Sequence, residues 1–255
     1  MTRSANVMNE VQNGGDASIP VFELEEWRSA FGVVAGITGA AGGFDMGLAS
    51  SESIRQVMAR WEDFLEYHSA GFCGAAVSRQ SHGAEVHVHR IGSEGVTVES
   101  GFDGHVTNVP GVLLGVTVAD CIPVYLLHPR TGVVAMLHAG WRGIVAGILE
   151  RGIEATCELA ASRATELVMH CGVGICGTCY EVGPEVLQQV TNASASESGT
   201  LDLRPVLASR ALEMGLEQVT VSSWCSAHSD GRFHSHRASQ GSAGRMLAYI
   251  GRPVT

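Results

Sequence analysis

The sequence has no apolar run long enough to cross a membrane. Its longest, Val112–Ala119, ends at Asp120, far short of the ~18–20 residues that a bilayer span needs. Positive charge is scarce: 16 Lys+Arg stand against 26 Asp+Glu, a formal net charge of −10. A surface of that sign repels a nucleic-acid backbone, so general DNA or RNA binding is disfavoured. Met1–Pro20 (MTRSANVMNEVQNGGDASIP), with one basic residue and no apolar core, does not read as a secretory leader. Residues 1–20 read as a disordered polar lead-in, and 21–255 as one domain. These absences point to the cytoplasm, where cysteines more often pack, ligate metal or react than pair. The 7 cysteines are also odd in number, so they cannot all pair within the chain. No Pro- or Ser-rich linker and no internal repeat divides the sequence; Thr191–Thr200 reads as a surface loop.

What is present is a chain of 255 residues and 26.8 kDa, 45% hydrophobic, that can bury roughly 70–75% of its surface. Its 32 glycines predict many turns and close backbone approaches. Short apolar runs predict strands over Phe31–Ile37, Phe72–Ser78, Glu85–Arg90, Val112–Val118, Ile122–Leu127, Val133–Leu137, Leu167–Gly172 and Gln218–Trp224. The Pro129-Arg130-Thr131-Gly132 turn makes a hairpin of the Ile122 and Val133 runs. Helical spacing over Glu52–Tyr67 sets Ile54, Val57, Met58, Trp61 and Leu65 on one face. A long helix is expected from near Gly143 to about Ser162, and two more begin at Pro184 and Pro205. The mixture predicts an α/β (α+β) fold: a mixed β-sheet core flanked by helices.

Three segments set a metal ligand or nucleophile at the end of an apolar run, where side chains reach into loops from a rigid base. They are Gln80-Ser81-His82-Gly83, Ala119-Asp120-Cys121-Ile122-Pro123 and His138-Ala139-Gly140-Trp141-Arg142-Gly143. Two imidazoles and a thiolate suit Zn²⁺, and three protein ligands leave a fourth position open, where a water would have its pKa lowered to about 7. The same donors could hold Cu²⁺. Packing alone is an equally good account of Cys121 and His138 taken singly. A helix starting after Arg142 offers unpaired amides and a positive dipole end to phosphate, and Arg142 adds a fork-shaped donor.

The motifs QSHG, ADCIP and HAGWRG, in this order, are followed by Cys179-Tyr180-Glu181-Val182-Gly183, Leu201-Asp202-Leu203 and Phe233-His234-Ser235-His236-Arg237. Together they resemble the laccase-domain family, which has carried the labels multicopper polyphenol oxidase and peptidoglycan editing factor. It is best described as purine nucleoside phosphorylases with adenosine deaminase activity. The resemblance covers about residues 31–250. It implies a metal centre, usually zinc, on His82, Cys121 and His138, which would also be the catalytic residues. It further implies substrate or phosphate contacts at Arg60, Asp103, Arg142 and Arg237. The implied partners are purine nucleosides (adenosine, inosine, 5′-methylthioadenosine) and phosphate, with no membrane and a monomeric chain. The family's Thr-Arg pair at the end of its early strand is missing here, where Thr38-Gly39 stands, and Met46-Gly47-Leu48 and His236 also depart from the pattern. These departures lie outside the three ligands and bear on phosphate and substrate contacts.

Other motifs carry less. Cys171, Cys176 and Cys179 have the spacing of a plant-type [2Fe–2S] site, with Cys225 a distant fourth ligand, but their setting reads as a strand and tight turn. His87-Val88-His89 and His234-Ser235-His236 look like the paired ligands of copper oxidases, yet no type-1 copper set accompanies them, and they read as half-exposed strand histidines. A copper-dependent polyphenol oxidase is therefore one rival. Another is a metal-free hydrolase in peptidoglycan precursor editing, with Cys121 as nucleophile and His138 or His82 as base. A metal-binding module without turnover is a third.

Overall fold

Runs such as Val112–Val118 and Ile122–Leu127 are apolar at almost every position, the pattern of strands covered on both faces. The computed structural model describes residues 4–13, 19–48 and 52–254. In chain order the elements are β1 (Asn6–Val7), β2 (Val11–Gln12), β3 (Val21–Glu23), α1 (Glu25–Phe31), β4 (Val34–Thr38), α2 (Ile54–Tyr67), β5 (Gly74–Arg79), β6 (Val86–His89), β7 (Gly95–Ser100), β8 (Gly104–Thr107), β9 (Val112–Val118), β10 (Ile122–Leu127), β11 (Val134–Ala139), α3 (Trp141–Ala146), α4 (Ile148–Ala160), β12 (Val168–Cys171), β13 (Glu181–Val182), α5 (Pro184–Thr191), β14 (Gly199–Thr200), α6 (Leu203–Glu213), β15 (Gln218–Val221) and β16 (Met246–Gly251). One mixed sheet has the order β1-β15-β12-β10-β11-β8-β6, the other β2-β3-β4-β16-β9-β5-β7, and β13 pairs with β14 as a small ribbon.

The two-residue period of a strand then builds four layers. In β10, Val124 and Leu126 face the helices and pack with Ile148, Ile153 and Leu207. Tyr125 and Leu127 face the second sheet and meet Leu114, Val116 and Ile250. The far side of that sheet, through Leu113, Leu247 and Tyr249, is covered by Val57, Trp61 and Phe64 of α2. The fold is mixed α/β flanked by helices, as expected, with two sheets in place of one. The predicted hairpin is present, with Ile122 opposite Ala139 and Leu127 opposite Val134.

Four expectations change. The early strand starts at Val34 because Phe31 ends α1, which is closed by Gly32 at φ 68. The buried stripe of α2 is Val57, Trp61 and Phe64, and Ile54 is 81% exposed. The long helix after Gly143 is two helices, α3 and α4, broken by Gly147 at φ 90. The lead-in is not disordered over residues 6–12: β1 joins β15 and β2 joins β3. Between them Glu10 is buried, accepting from Ser222 Oγ at 2.7 Å and meeting His170 Nε2 at 3.2 Å. A buried carboxylate needs such partners, and these tie the segment to the first sheet. Residues 1–3 and 14–18 of that expectation lie outside the described residues.

Candidate metal centre and cleft

Antiparallel pairing puts the start of β10 beside the end of β11, so Cys121, just before β10, meets His138. His82, in the loop after β5, completes the group. One donor atom from each of the three lies within 4.8 Å of the others. His82 is exposed, Cys121 partly buried and His138 buried.

Asp103 assembles the site, from the residue preceding β8. Its fully buried carboxylate accepts the backbone N–H groups of Ser81 (3.0 Å), His82 (3.0 Å) and Gly83 (2.8 Å) and the Ser81 hydroxyl (2.9 Å). It also meets His138 Nδ1 at 2.8 Å, which leaves Nε2 for the site. Burial pushes this carboxyl up, but the hydrogen bonds from His138, Gly83 and Ser81 outweigh it and hold the pKa at about 2. Asp103 is therefore a structural anion that organises both the QSHG loop and a ligand, and not a group facing substrate.

The remaining motif residues have equally local reasons. The Gln80 amide clasps β9, donating to the Thr117 carbonyl at 2.9 Å and accepting the Thr117 N–H at 2.8 Å. His82 adopts φ 59 and Asp120 φ 88, left-handed conformations costly for residues with a Cβ. The Asp120 carboxylate holds its turn by accepting Ser226 Oγ at 2.6 Å and the Arg237 N–H at 2.7 Å. A Cβ on Gly140 would stand 2.9 Å from Cys121 Sγ, and one on Gly143 would stand 2.8 Å from the Gly83 carbonyl oxygen. Glycine at both places lets the loops close on the ligands.

The ligands perturb one another. Burial raises the Cys121 thiol, but the charge and hydrogen bonds of His138 and His82 prevail and bring it to about 6. Burial lowers His138, but the Cys121 thiolate and Asp103 raise it to about 9. Both shifts run in the direction of a thiolate beside an imidazolium.

The three side chains line a cleft of about 1020 Å³ between the sheet ends and the 236–245 loop. Arg142 and Arg237 line it too, as do Arg79 and Arg245, which the sequence reading did not single out. The chain has no lysine, so apart from the histidines every basic group of the cleft is a guanidinium. Arg142 lies over the Trp141 ring at 4.4 Å. Arg237 lies over Tyr180 at 5.0 Å and donates to the Glu181 carbonyl at 2.7 Å. Arg79 and Arg142 have no carboxylate partner among the described residues. Arg60 is not brought to the cleft: it lies on α2 and pairs with Glu52. The break at Gly147 leaves α3 only six residues, so the long helix dipole expected behind Arg142 is cut short, and anion attraction rests on side chains. Leu48 and His236, two of the departures, both line the cleft. Strand-end position flags His82, Cys121 and His138, and it marks Arg79 at the end of β5 equally, but nothing local marks Arg245.

Residues 31–253 match the sequence profile of the family described as multi-copper polyphenol oxidoreductase laccase. A purine nucleoside phosphorylase of Deinococcus radiodurans is 40% identical over 158 residues, 59% of this chain and 61% of that protein. An adenosine deaminase, RL5, of an unknown prokaryotic organism is 39% identical over 93 residues, 36% of this chain and 35% of that protein. The chain thus spans about three fifths and about one third of these two relatives. The crystal structure of YlmD from Geobacillus stearothermophilus superposes with a TM-score of 0.84 at 24% identity, covering 96% of this chain and 100% of that one. Among the described residues no helix is long and apolar enough to cross a membrane.

Proposed function

We infer that this chain, which belongs to the multi-copper polyphenol oxidoreductase laccase family, is a purine nucleoside phosphorylase with adenosine deaminase activity, dependent on a metal held by His82, Cys121 and His138. The observation that carries this reading is the convergence of those three donors, with Asp103 behind His138, at the wall of an arginine-lined cleft. Two imidazoles and a thiolate fit zinc, and copper is the other candidate. Gly140 leaves the space beside the sulfur that coordination requires. When bound, such an ion supplies Lewis acidity and activates water at neutral pH.

The chain's own groups account for the rest. Arg79 and Arg142, with no carboxylate partner among the described residues, are suited to hold phosphate by paired N–H donors. In phosphorolysis a phosphate oxygen bonds to ribose C1′ as the C1′–N bond breaks, and the purine leaves with a proton. Arginines aimed at the phosphate neutralise and orient it, which is the main catalytic need of such a step. Tyr180 and Trp141 offer flat walls for the base. In deamination water adds at C6 of adenosine and ammonia leaves.

The test is incubation of pure protein with adenosine and inosine, with and without phosphate, followed by separation of products. Hypoxanthine and ribose 1-phosphate formed only with phosphate, and inosine formed from adenosine, support the reading; intact nucleosides overturn it.

The Cys121–His138–Asp103 order favours a second reading, since thiolate, imidazole and carboxylate in sequence also make an activated nucleophile. A cysteine hydrolase acting on amide or ester substrates such as peptidoglycan precursors would work after metal removal and die on alkylation of Cys121. The metal-dependent enzyme would lose activity at the metal-removal step.

A further inference from the structure

β12 and β15 are neighbouring parallel strands, with Cys171 opposite Val221, so the segments that follow them leave the sheet at the same end. An isolated parallel bridge between Gly174 and Cys225 keeps the two together beyond the strands. This brings Cys176-x-x-Cys179 against Cys225-x-x-His228, although the pairs are remote in sequence. One donor atom from each of the four lies within 4.8 Å of all the others. His228 Nδ1 is 3.1 Å from Cys179 Sγ and 3.7 Å from Cys176 Sγ.

We propose that Cys176, Cys179, Cys225 and His228 form a second metal site, a closed Cys₃His zinc site with a structural role. The inference goes beyond the proposed activity and does not depend on it. Zinc bonds to sulfur at about 2.3 Å and to nitrogen at about 2.0–2.1 Å in a tetrahedron, which places neighbouring donors roughly 3.5–3.8 Å apart. The His228 separations of 3.1 and 3.7 Å lie close to that range, and the remaining pairs lie within 4.8 Å. Four protein donors leave no vertex for water or substrate, which separates this site from the three-donor centre of the cleft.

The surroundings suit bound thiolates. Cys225 Sγ accepts the backbone N–H of Cys176 at 3.3 Å and of Ala227 at 3.4 Å. The buried Arg204 guanidinium donates to the Ser222 and Trp224 carbonyls, both at 2.7 Å, and so fixes the turn that presents Cys225. Three thiolates around Zn²⁺ carry one net negative charge, and Arg204 sits within electrostatic reach of Cys225 and Cys176. Cys171, the other member of the iron–sulfur-like spacing, is not part of the group and faces the core. The site also has a consequence for the cleft: Cys179 directly precedes Tyr180, so an ion there would pin one wall.

The test is metal content per chain of the full-length protein, with thiol counting. Wild type should carry zinc at this site that survives His82→Ala, so failure of the cleft reading alone leaves this result intact. Cys179→Ser and the exposed-site variant His228→Ala should each lose one zinc equivalent, and His228→Cys, which restores a donor, should keep it. In wild type, Cys176, Cys179 and Cys225, identified by peptide mapping, should stay unreactive to a thiol reagent until a chelator releases zinc, whatever the state of Cys121. That measurement needs no variant to fold. The proposal is overturned if His82→Ala contains no zinc, if the metal at these residues is iron, or if Cys176 and Cys179 are isolated as a disulfide.

Discussion

At the residue scale, Asp103 does more than the residues that advertise themselves. Five donors converge on one buried carboxylate, and two of the things they fix, the QSHG loop and the His138 ring, are ligand-bearing. Asp103→Asn keeps the shape but turns an acceptor into a donor facing N–H groups. Changes to a residue that orients a metal-ligating histidine weaken metal binding by about 10- to 100-fold. The expected outcome is a loss of that size in zinc affinity, read by competition with a chromophoric chelator, in a protein that still melts cooperatively. An affinity equal to wild type would show that His138 needs no such partner. His82, Cys121 and His138 were legible because each ends an apolar run, and strand ends are where side chains enter loops. Asp103 was legible only through resemblance, because its role depends on backbone N–H groups remote along the chain. Arg60 was misplaced for the converse reason: a charge on an amphipathic helix does not reveal which way its helix faces the sheets.

At the scale of elements, sequence periodicity reads type better than continuity. The apolar stripe after Gly143 continues across Gly147, so one helix is the natural reading, yet the backbone there turns to φ 90 and two helices result. Gly147→Ala forces a Cβ into that left-handed conformation, at a cost of roughly 1–2 kcal/mol. Its neighbourhood is open, the nearest atom lying 3.7 Å from an added Cβ, so the penalty should come from the backbone and not from a clash. The urea midpoint should fall with an unchanged slope; an unchanged midpoint would mean that the turn tolerates alanine. The lead-in escaped detection because its strands are only two residues long, and their placement depends on one buried acid, Glu10, whose partners lie over 150 residues away. β16, central in its sheet between β4 and β9, was missed as a short run among glycine and arginine.

At the scale of the molecule, facing two sheets against each other, and α2 against the second of them, buries titratable groups along with the apolar ones. Burial first, then neighbouring histidines, lowers His105 to about 3 and His89 to about 4, and burial lowers His68 to about 4. His87 and His89 are half-buried on their strand, as expected, and His89 shares a 2.9 Å hydrogen bond with the fully buried His105. Each folded pKa is below the unfolded value of about 6.5, so the unfolded chain binds more protons as pH falls. This contribution to stability is therefore complete above about pH 6.5 and declines below it, with a limiting slope for buried His105 of about 1.4 kcal/mol per pH unit. Urea midpoints should drop from pH 7 to pH 5, and less steeply in His105→Phe. The central claim, that the three strand-end donors form the centre of turnover, is tested most directly by the rate of phosphate-dependent inosine cleavage in Cys121→Ala. The variant should melt as a folded protein, lack the cleft metal and lose at least about a hundredfold in rate, of the order expected when a main catalytic contribution is removed. A folded Cys121→Ala that cleaves inosine at the wild-type rate would contradict the account.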